Sequence, residues 1–306
     1  MPSAEDTQSA SPAVLKVLNG AVDLHCHSGP SPFPRRINHV EASYDAARIG
    51  MRALLLKSHH HNTVMDIKSM AAQLEDAPTP LYGGIALNTQ VGGINPSAVA
   101  MSLGMGGRCV WAPTTCAAPH IEHHNHGGSF PSSGFDMREQ EVSIYDESGE
   151  ISADTVTVTE IIAEADALLA GGHLDPESTK ALFSLAAEKG VRRMLLQHPD
   201  FIVGASYDDV DELVRIGAYV EHEIAMYYPG TSMAWPVQKL VDWIERVGPE
   251  KTVISSDLGQ KNNPLPVDGY IYLVGQLLDH GVSEKDIRTV IADNPAFLLG
   301  LEEKPA

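Results

Sequence analysis

No apolar run in the sequence approaches the roughly 18–20 residues that cross a bilayer. The first eleven residues are polar and acidic, without the basic and apolar regions of a secretory leader. A cytoplasmic protein with no membrane partner is the expectation that follows. Cysteine is scarce. Cys26, Cys109 and Cys116 are three, too few and odd in number for a disulfide scaffold, so each is read as a reduced thiol. Positive charge is also short, with 21 Lys and Arg against 40 Asp and Glu and a formal charge of −19. Such a field repels phosphate backbones and excludes nucleic acid as a partner.

What is present is core-forming. Hydrophobic residues are 43% of 306, which suits one large α/β barrel or two ordinary domains. Residues 1–20 read as a tail with a short helix at 13–18. Beyond them, eight short apolar runs recur, at 21–24, 53–56, 81–87, 109–112, 167–170, 193–196, 218–220 and 252–254. They are continuous rather than alternating, as parallel strands buried on both faces are. Helix signals fall between them. The pattern at 40–49 stops at Gly50, 208–216 at Gly217 and 235–247 at Gly248. Asp175 opens 176–189, with Pro176 in the first turn and Gly190 beyond the end. This alternation predicts an α/β fold, a (β/α)8 TIM barrel over residues 21–306, with an open doubly wound sheet as the alternative.

One segment breaks the rhythm. Residues 114–155 show no helical period and hold His120, His123, His124 and His126, then a Pro/Ser/Gly stretch, then a hairpin over 142–151 turning at Ser148-Gly149. A long insertion after the fourth strand reads as part of an active-site rim, lid-like in role.

The polar residues then fall in a pattern. The C-terminal ends of barrel strands share one mouth. His25 and His27 stand two apart at the end of the first strand, so both imidazoles point the same way and can reach one ion. Lys57, His59 and His60 follow the second strand, Asn88 the third, His173 the fifth and His198 the sixth. Glu221 and Glu223 follow the seventh, and Asp257 ends the eighth. An isolated His-x-His is weak evidence. Imidazoles and carboxylates at several strand ends together suit Zn²⁺ or a similar divalent ion with a position left open for water. Asp23, before the His-x-His, is read as a support for a ligand. Arg35 and Arg36, in the loop after the first strand, are read either as a receptor for an anionic substrate or as a solvated pair.

Asp-Leu-His-Cys-His at 23–27, a His after the fifth and sixth strands, Asp257, and the closing Asn-Pro-Ala-Phe-Leu-Leu-Gly at 294–300 resemble the amidohydrolase superfamily over residues 20–301. The resemblance implies that His25, His27 and Asp257 ligate the more buried metal, joined by His173 in mononuclear versions. In binuclear versions His173 and His198 hold a second ion, bridged by a carbamylated Lys or a Glu of the fourth strand. This sequence departs there, because its fourth strand ends Val-Trp-Ala-Pro-Thr at 110–114. Lys57 is left with three readings: the missing bridge, a substrate anchor, or a salt bridge to Glu221 or Glu223.

The function expected is a metal-dependent hydrolase of a small molecule. It carries one or two divalent ions, Zn²⁺ first and Mn²⁺ as the alternative, and cleaves an amide, lactone or ester bond. Asp257 is the proton acceptor, and His198 is a second catalytic candidate. Lys57, His59, Asn88, His120 and Glu223 are candidate substrate contacts. A decarboxylase or C–C bond hydrolase of a carboxylated substrate, and a metal-binding barrel without catalysis, are the alternatives. A homo-oligomer is left open.

Overall fold

The computed structural model describes residues 10–126 and 133–301. The start of the tail, the glycine-rich part of the insertion at 127–132 and the last five residues lie outside the described residues. The strands are β1 (Val22–Cys26), β2 (Ala53–Leu56), β3 (Leu81–Tyr82), β4 (Gly84–Ala86), β5 (Cys109–Trp111), β6 (Leu168–Ala170), β7 (Met194–Gln197), β8 (Tyr219–Glu223) and β9 (Thr252–Ser255). With β3 and β4 counted as one broken strand, each is followed by a helix. These are His39–Ala47, Thr63–Ser69, Pro96–Gly104, Ala153–Glu164, Pro176–Glu188, Tyr207–Ile216, Val237–Val247 and Pro266–Asp279. All the paired registers are parallel. This is the (β/α)8 fold that the apolar runs predict. No helix among the described residues is long and apolar enough to cross a membrane.

Two expectations are corrected. The run at 81–87 is not one strand, because Thr63 intervenes: its Oγ1 accepts from Gly84 N at 3.0 Å and donates to Gly84 O at 3.2 Å. A Cβ on Gly83 would lie 2.7 Å from Val64 N. The insertion is not devoid of helix either. Ala118–Asn125 is helical, with Pro119 in its first turn and His120 as its buried residue. The expected hairpin is present in short form, as an antiparallel bridge between Tyr145 and Ile151.

The residues divide into two compact units. The first holds Met1–Leu56, Asp66–Tyr82 and His222–Phe297. In it β1, β2 and β3 pair in that order, and every residue of β1 and β2 is buried. The chain leaving β9 runs on beside β1. Asp257 N donates to His25 O, and His27 N to Leu258 O, each at 2.9 Å. Tyr270, buried, ties this region to the helix after β9 by donating to Ile254 O at 3.1 Å.

The second unit holds Lys57–Met65, Gly83–Glu221 and Leu298–Ala306. Strands β4 to β8 are successive neighbours in it, with Ile85 beside Val110, Val110 beside Leu169 and Leu196 beside Val220. Helix starts are capped by local polar groups. Asp175 accepts from Ser178 N at 2.9 Å, and Pro176 follows at the first helical position, where its missing N–H is no loss.

Gly84 gives a test of strand packing in this unit. A Cβ there would meet Cys109 O at 2.3 Å and a Trp111 ring carbon at 2.7 Å. Overpacking of this kind costs about 1–3 kcal/mol. Gly84→Ala is expected to lower the thermal midpoint by several degrees, and an unchanged midpoint in calorimetry would contradict the contact.

Candidate metal centre and histidine cluster

In the first unit, the ends of β1 and β9 build a three-donor site. His25 is the fourth residue of β1, and His27 follows the strand by one. Asp257 stands two residues past β9, at φ +47°. A non-glycine residue in the left-handed region is uncommon and is retained where its surroundings over-determine it. Here the two hydrogen bonds to the β1 backbone do so, and they turn the carboxylate towards the histidines. Gly259 allows the close approach, since a Cβ on it would lie 2.5 Å from His27 O. His27 Nε2 lies 3.0 Å and His25 Nε2 3.5 Å from Asp257 Oδ1.

The donor set fits a divalent ion. Metal–ligand bonds of 2.0–2.2 Å in a tetrahedral site place donors about 3.3 Å apart, and the two distances bracket that value. One ligand atom from each of the three residues lies within 4.8 Å of the others. Burial, opposed by the Asp257 hydrogen bond and reinforced by Arg35, pushes the His27 imidazole down to about 3. It is therefore neutral at pH 7, the form that donates a lone pair to a metal. Glu223 Oε1 stands 3.8 Å from His25 Nδ1.

Beneath these groups lies Asp23. Its Oδ1 accepts from His25 N at 3.0 Å and from Ser256 N at 2.9 Å. Its Oδ2 accepts from Ser256 Oγ at 2.5 Å. Burial raises its pKa, while the Ser256 and His25 donors pull it back. It supports the ligand strand, as expected for its place before the His-x-His.

The second unit carries a cluster of buried histidines. The His173 ring lies 4.8 Å from that of His198, 4.9 Å from that of His120 and 5.8 Å from that of His59, between centroids. His120 Nδ1 and His173 Nδ1 are 2.8 Å apart, one donating to the other. Burial pushes His120 down to about 4. His198, like Asp257, has a positive φ, +26°.

Around the cluster, His59 Nδ1 meets Thr114 Oγ1 at 2.9 Å. Asn88 Nδ2 donates to Thr114 Oγ1 and to His59 O, while its Oδ1 accepts from Thr114 N and Cys116 N. The Asn88 side chain thus braces the strand ends. His60 pairs with Glu139 at 3.3 Å, a residue that sequence reasoning missed because its place in the insertion carries no motif. Lys57 is buried, with its ammonium 5.8 Å from the Trp111 ring centre. His123, His124 and His126 are exposed.

The chain resembles known proteins in sequence and in fold. The family model described as "Family of unknown function (DUF6282)" matches residues 20–221, and that of the phosphotriesterase family matches residues 173–299. No curated protein sequence matches the chain. Among solved structures, an amidohydrolase from Pseudomonas aeruginosa superposes with a TM-score of 0.61 at 13% identity, covering 94% of this chain and 98% of that one. A lactonase from Listeria monocytogenes gives 0.57 at 10% identity, covering 94% and 96%. A phosphotriesterase homology protein from Escherichia coli, with phosphate in its active site, gives 0.53 at 15%, covering 92% and 99%. The structural likenesses bear out the barrel fold, and the phosphotriesterase-family match over residues 173–299 is what supports the resemblance to the amidohydrolase superfamily and an enzyme of the hydrolase kind.

The depressed histidines set a pH dependence. A folded pKa below the unfolded value of about 6.5 means that the unfolded chain takes up protons first. The stability contributed by neutral His27 and His120 is therefore complete above about pH 6.5 and is lost as pH falls towards their folded values. Each can contribute a slope of up to about 1.4 kcal/mol per pH unit in that window. Denaturant unfolding of chelator-treated protein at pH 7, 6 and 5 should show this slope, and His27→Gln and His120→Gln should each flatten it. Equal slopes in all three proteins would refute the assignment.

Proposed function

The chain belongs to the family of unknown function DUF6282, and we propose that it is a metal-dependent hydrolase of a small molecule, cleaving an ester, lactone or amide bond. The observation that carries the reading is the triangle of His25, His27 and Asp257 at the ends of β1 and β9, whose spacing matches the coordination shell of a divalent ion. The phosphotriesterase-family match over residues 173–299 and the lactonase and amidohydrolase among the solved structures favour hydrolysis of the ester or lactone type.

His25, His27 and Asp257 would hold a divalent ion, Zn²⁺ first and Mn²⁺ as the alternative, which would supply Lewis-acid polarisation and would lower the pKa of a water towards neutrality. The rest is done by side chains of this chain. His25 and His27 offer Nε2, with the Glu223 carboxylate 3.8 Å from His25 Nδ1. Asp257 takes a proton at its carboxylate and returns it to the leaving group, a role that contributes on the order of 10²–10⁴-fold. In the second unit, His173, His198 and Lys57 are proposed as the residues that add a second ion, as the amidohydrolase resemblance implies for the two histidines. His59 and His120 are proposed as substrate contacts.

Elemental analysis and turnover on a panel of lactones and esters test this together. The purified protein should carry one or two divalent ions, and chelation should abolish turnover while leaving the fold. Asp257→Asn keeps the shape and loses the proton acceptor. It should lower kcat by at least about a hundredfold, with a thermal midpoint near that of the wild type. His173→Ala and Lys57→Ala should lower metal content from two ions towards one. A metal-free protein that remains active through prolonged chelation would sink the hydrolase reading, and near-normal turnover in Asp257→Asn would remove Asp257 as the base.

A further inference from the structure

The loop between β1 and its helix forms a cavity that the hydrolytic reading does not use. It lies wholly in the first unit, holds about 700 Å³ and is lined among others by Gly29, Phe33, Arg35, Arg36, Glu41 and Met70. A volume of that order suits a small-molecule group. The loop is pinned from two sides. Gly29 N donates to Ile37 O and His39 N to Gly29 O, each at 2.9 Å. Arg36 N donates to Gly259 O at 2.9 Å and Lys261 N to Pro34 O at 3.1 Å, while Arg35 bridges antiparallel to Gln260. The same stretch after β9 thus carries Asp257 and holds this loop in place.

Two polar groups at the cavity, Glu41 and Arg36, are taken up locally. Glu41 Oε2 accepts from Asn38 N at 2.9 Å, and Asn38 Oδ1 from Glu41 N at 2.8 Å, closing a capping box at the start of the helix His39–Ala47. Arg36 Nη1 donates to Asn263 O at 2.9 Å. Arg35 differs from them. Its Nε is buried and has no hydrogen-bond partner among the described residues. Its stem packs on Gly29, where an added Cβ would lie 3.4 Å from Arg35 Cβ and Cγ. Asp257 and Cys26 act on the guanidinium only through space, and burial depresses its pKa to about 10. A half-buried cation held this way is poorly compensated, and an anion arriving in the cavity would complete it.

We propose that this cavity receives the carboxylate end of the substrate, anchored by the Arg35 guanidinium, while the bond to be cleaved lies at His25, His27 and Asp257. The second clause rests on the hydrolase reading and the first does not. A carboxylate is favoured over a phosphate by charge. Glu41 lines the cavity, Asp257 is in electrostatic reach, and the chain carries −19 overall. One planar guanidinium matches a monoanion bidentately, whereas a dianion would need further cations.

Calorimetry on the full chain after chelator treatment separates the two clauses, with monomethyl succinate, dimethyl succinate and methyl phosphate as probes. The wild type should bind the monoester and not the diester. Hydrogen bonds to a charged partner are worth about 1.5–3 kcal/mol, so Arg35→Gln should weaken monoester binding by about 10- to 100-fold. Arg35→Lys, which keeps the charge and most of the stem, should weaken it less and guards against a folding defect in the first variant. Equal binding of monoester and diester, binding that survives Arg35→Gln, no binding by the wild type, or methyl phosphate bound more tightly than the monoester would each overturn the carboxylate site. Absence of turnover in the metal-loaded protein would instead strike the hydrolase reading and leave this measurement standing.

Discussion

Everything proposed for the first unit depends on how the buried carboxylate of Asp23 joins β1 to β9. A carboxylate taken out of water costs several kcal/mol unless its lone pairs are satisfied, and three donors satisfy this one: His25 N, Ser256 N and Ser256 Oγ. Two of the three come from the chain leaving β9, so the carboxylate is at ease only when that chain lies against β1. The hydrogen bonds of His25 O and His27 N with residues 257 and 258 then follow. They turn Asp257 into the left-handed region and bring its carboxylate to the two imidazoles. A backbone constraint, paid for by a buried charge, thus sets the spacing on which metal chemistry turns.

The same pairing organises the surroundings. The segment from Asp257 to Lys261 also receives the loop after β1 through Arg36, Arg35 and Pro34, so the three donors and the cationic cavity share one support. Preorganisation of this kind holds groups in place before a ligand arrives and reduces the entropy lost on binding. In the second unit a different device serves the histidines. The Asn88 amide, fully used between His59, Thr114 and Cys116, fixes the ends of three strands and leaves His173 among His59, His120 and His198.

Much of this was legible in the sequence, for physical reasons. Strands buried on both faces write continuous apolar runs, and seven of the eight runs each hold one strand, while the run at 81–87 holds two. His-x-His at the end of the first run and Asp257 after the eighth could be paired because a barrel brings such ends to one side. What escaped depended on contacts distant in sequence. Thr63 breaking the third strand at Gly83 leaves no local mark, since the interruption comes from a side chain twenty residues away. The helix Ala118–Asn125 was hidden because histidine and glutamate replace the apolar stripe that signals a helix, and Ala117 offers no side-chain cap; Pro119 was its one signal. The sequence alone does not separate Arg35 from its neighbour Arg36. Only the folded loop buries one guanidinium and gives the other to Asn263 O.

The central claim is that His25, His27 and Asp257 form a coordination shell. The measurement that reaches it most directly is a crystal structure of the zinc-loaded chain with anomalous data on both sides of the zinc edge. The account predicts a peak about 2.0–2.2 Å from His25 Nε2, His27 Nε2 and an Asp257 carboxylate oxygen. A peak confined to the exposed histidines at 123–126, or no peak in zinc-saturated crystals, would contradict it.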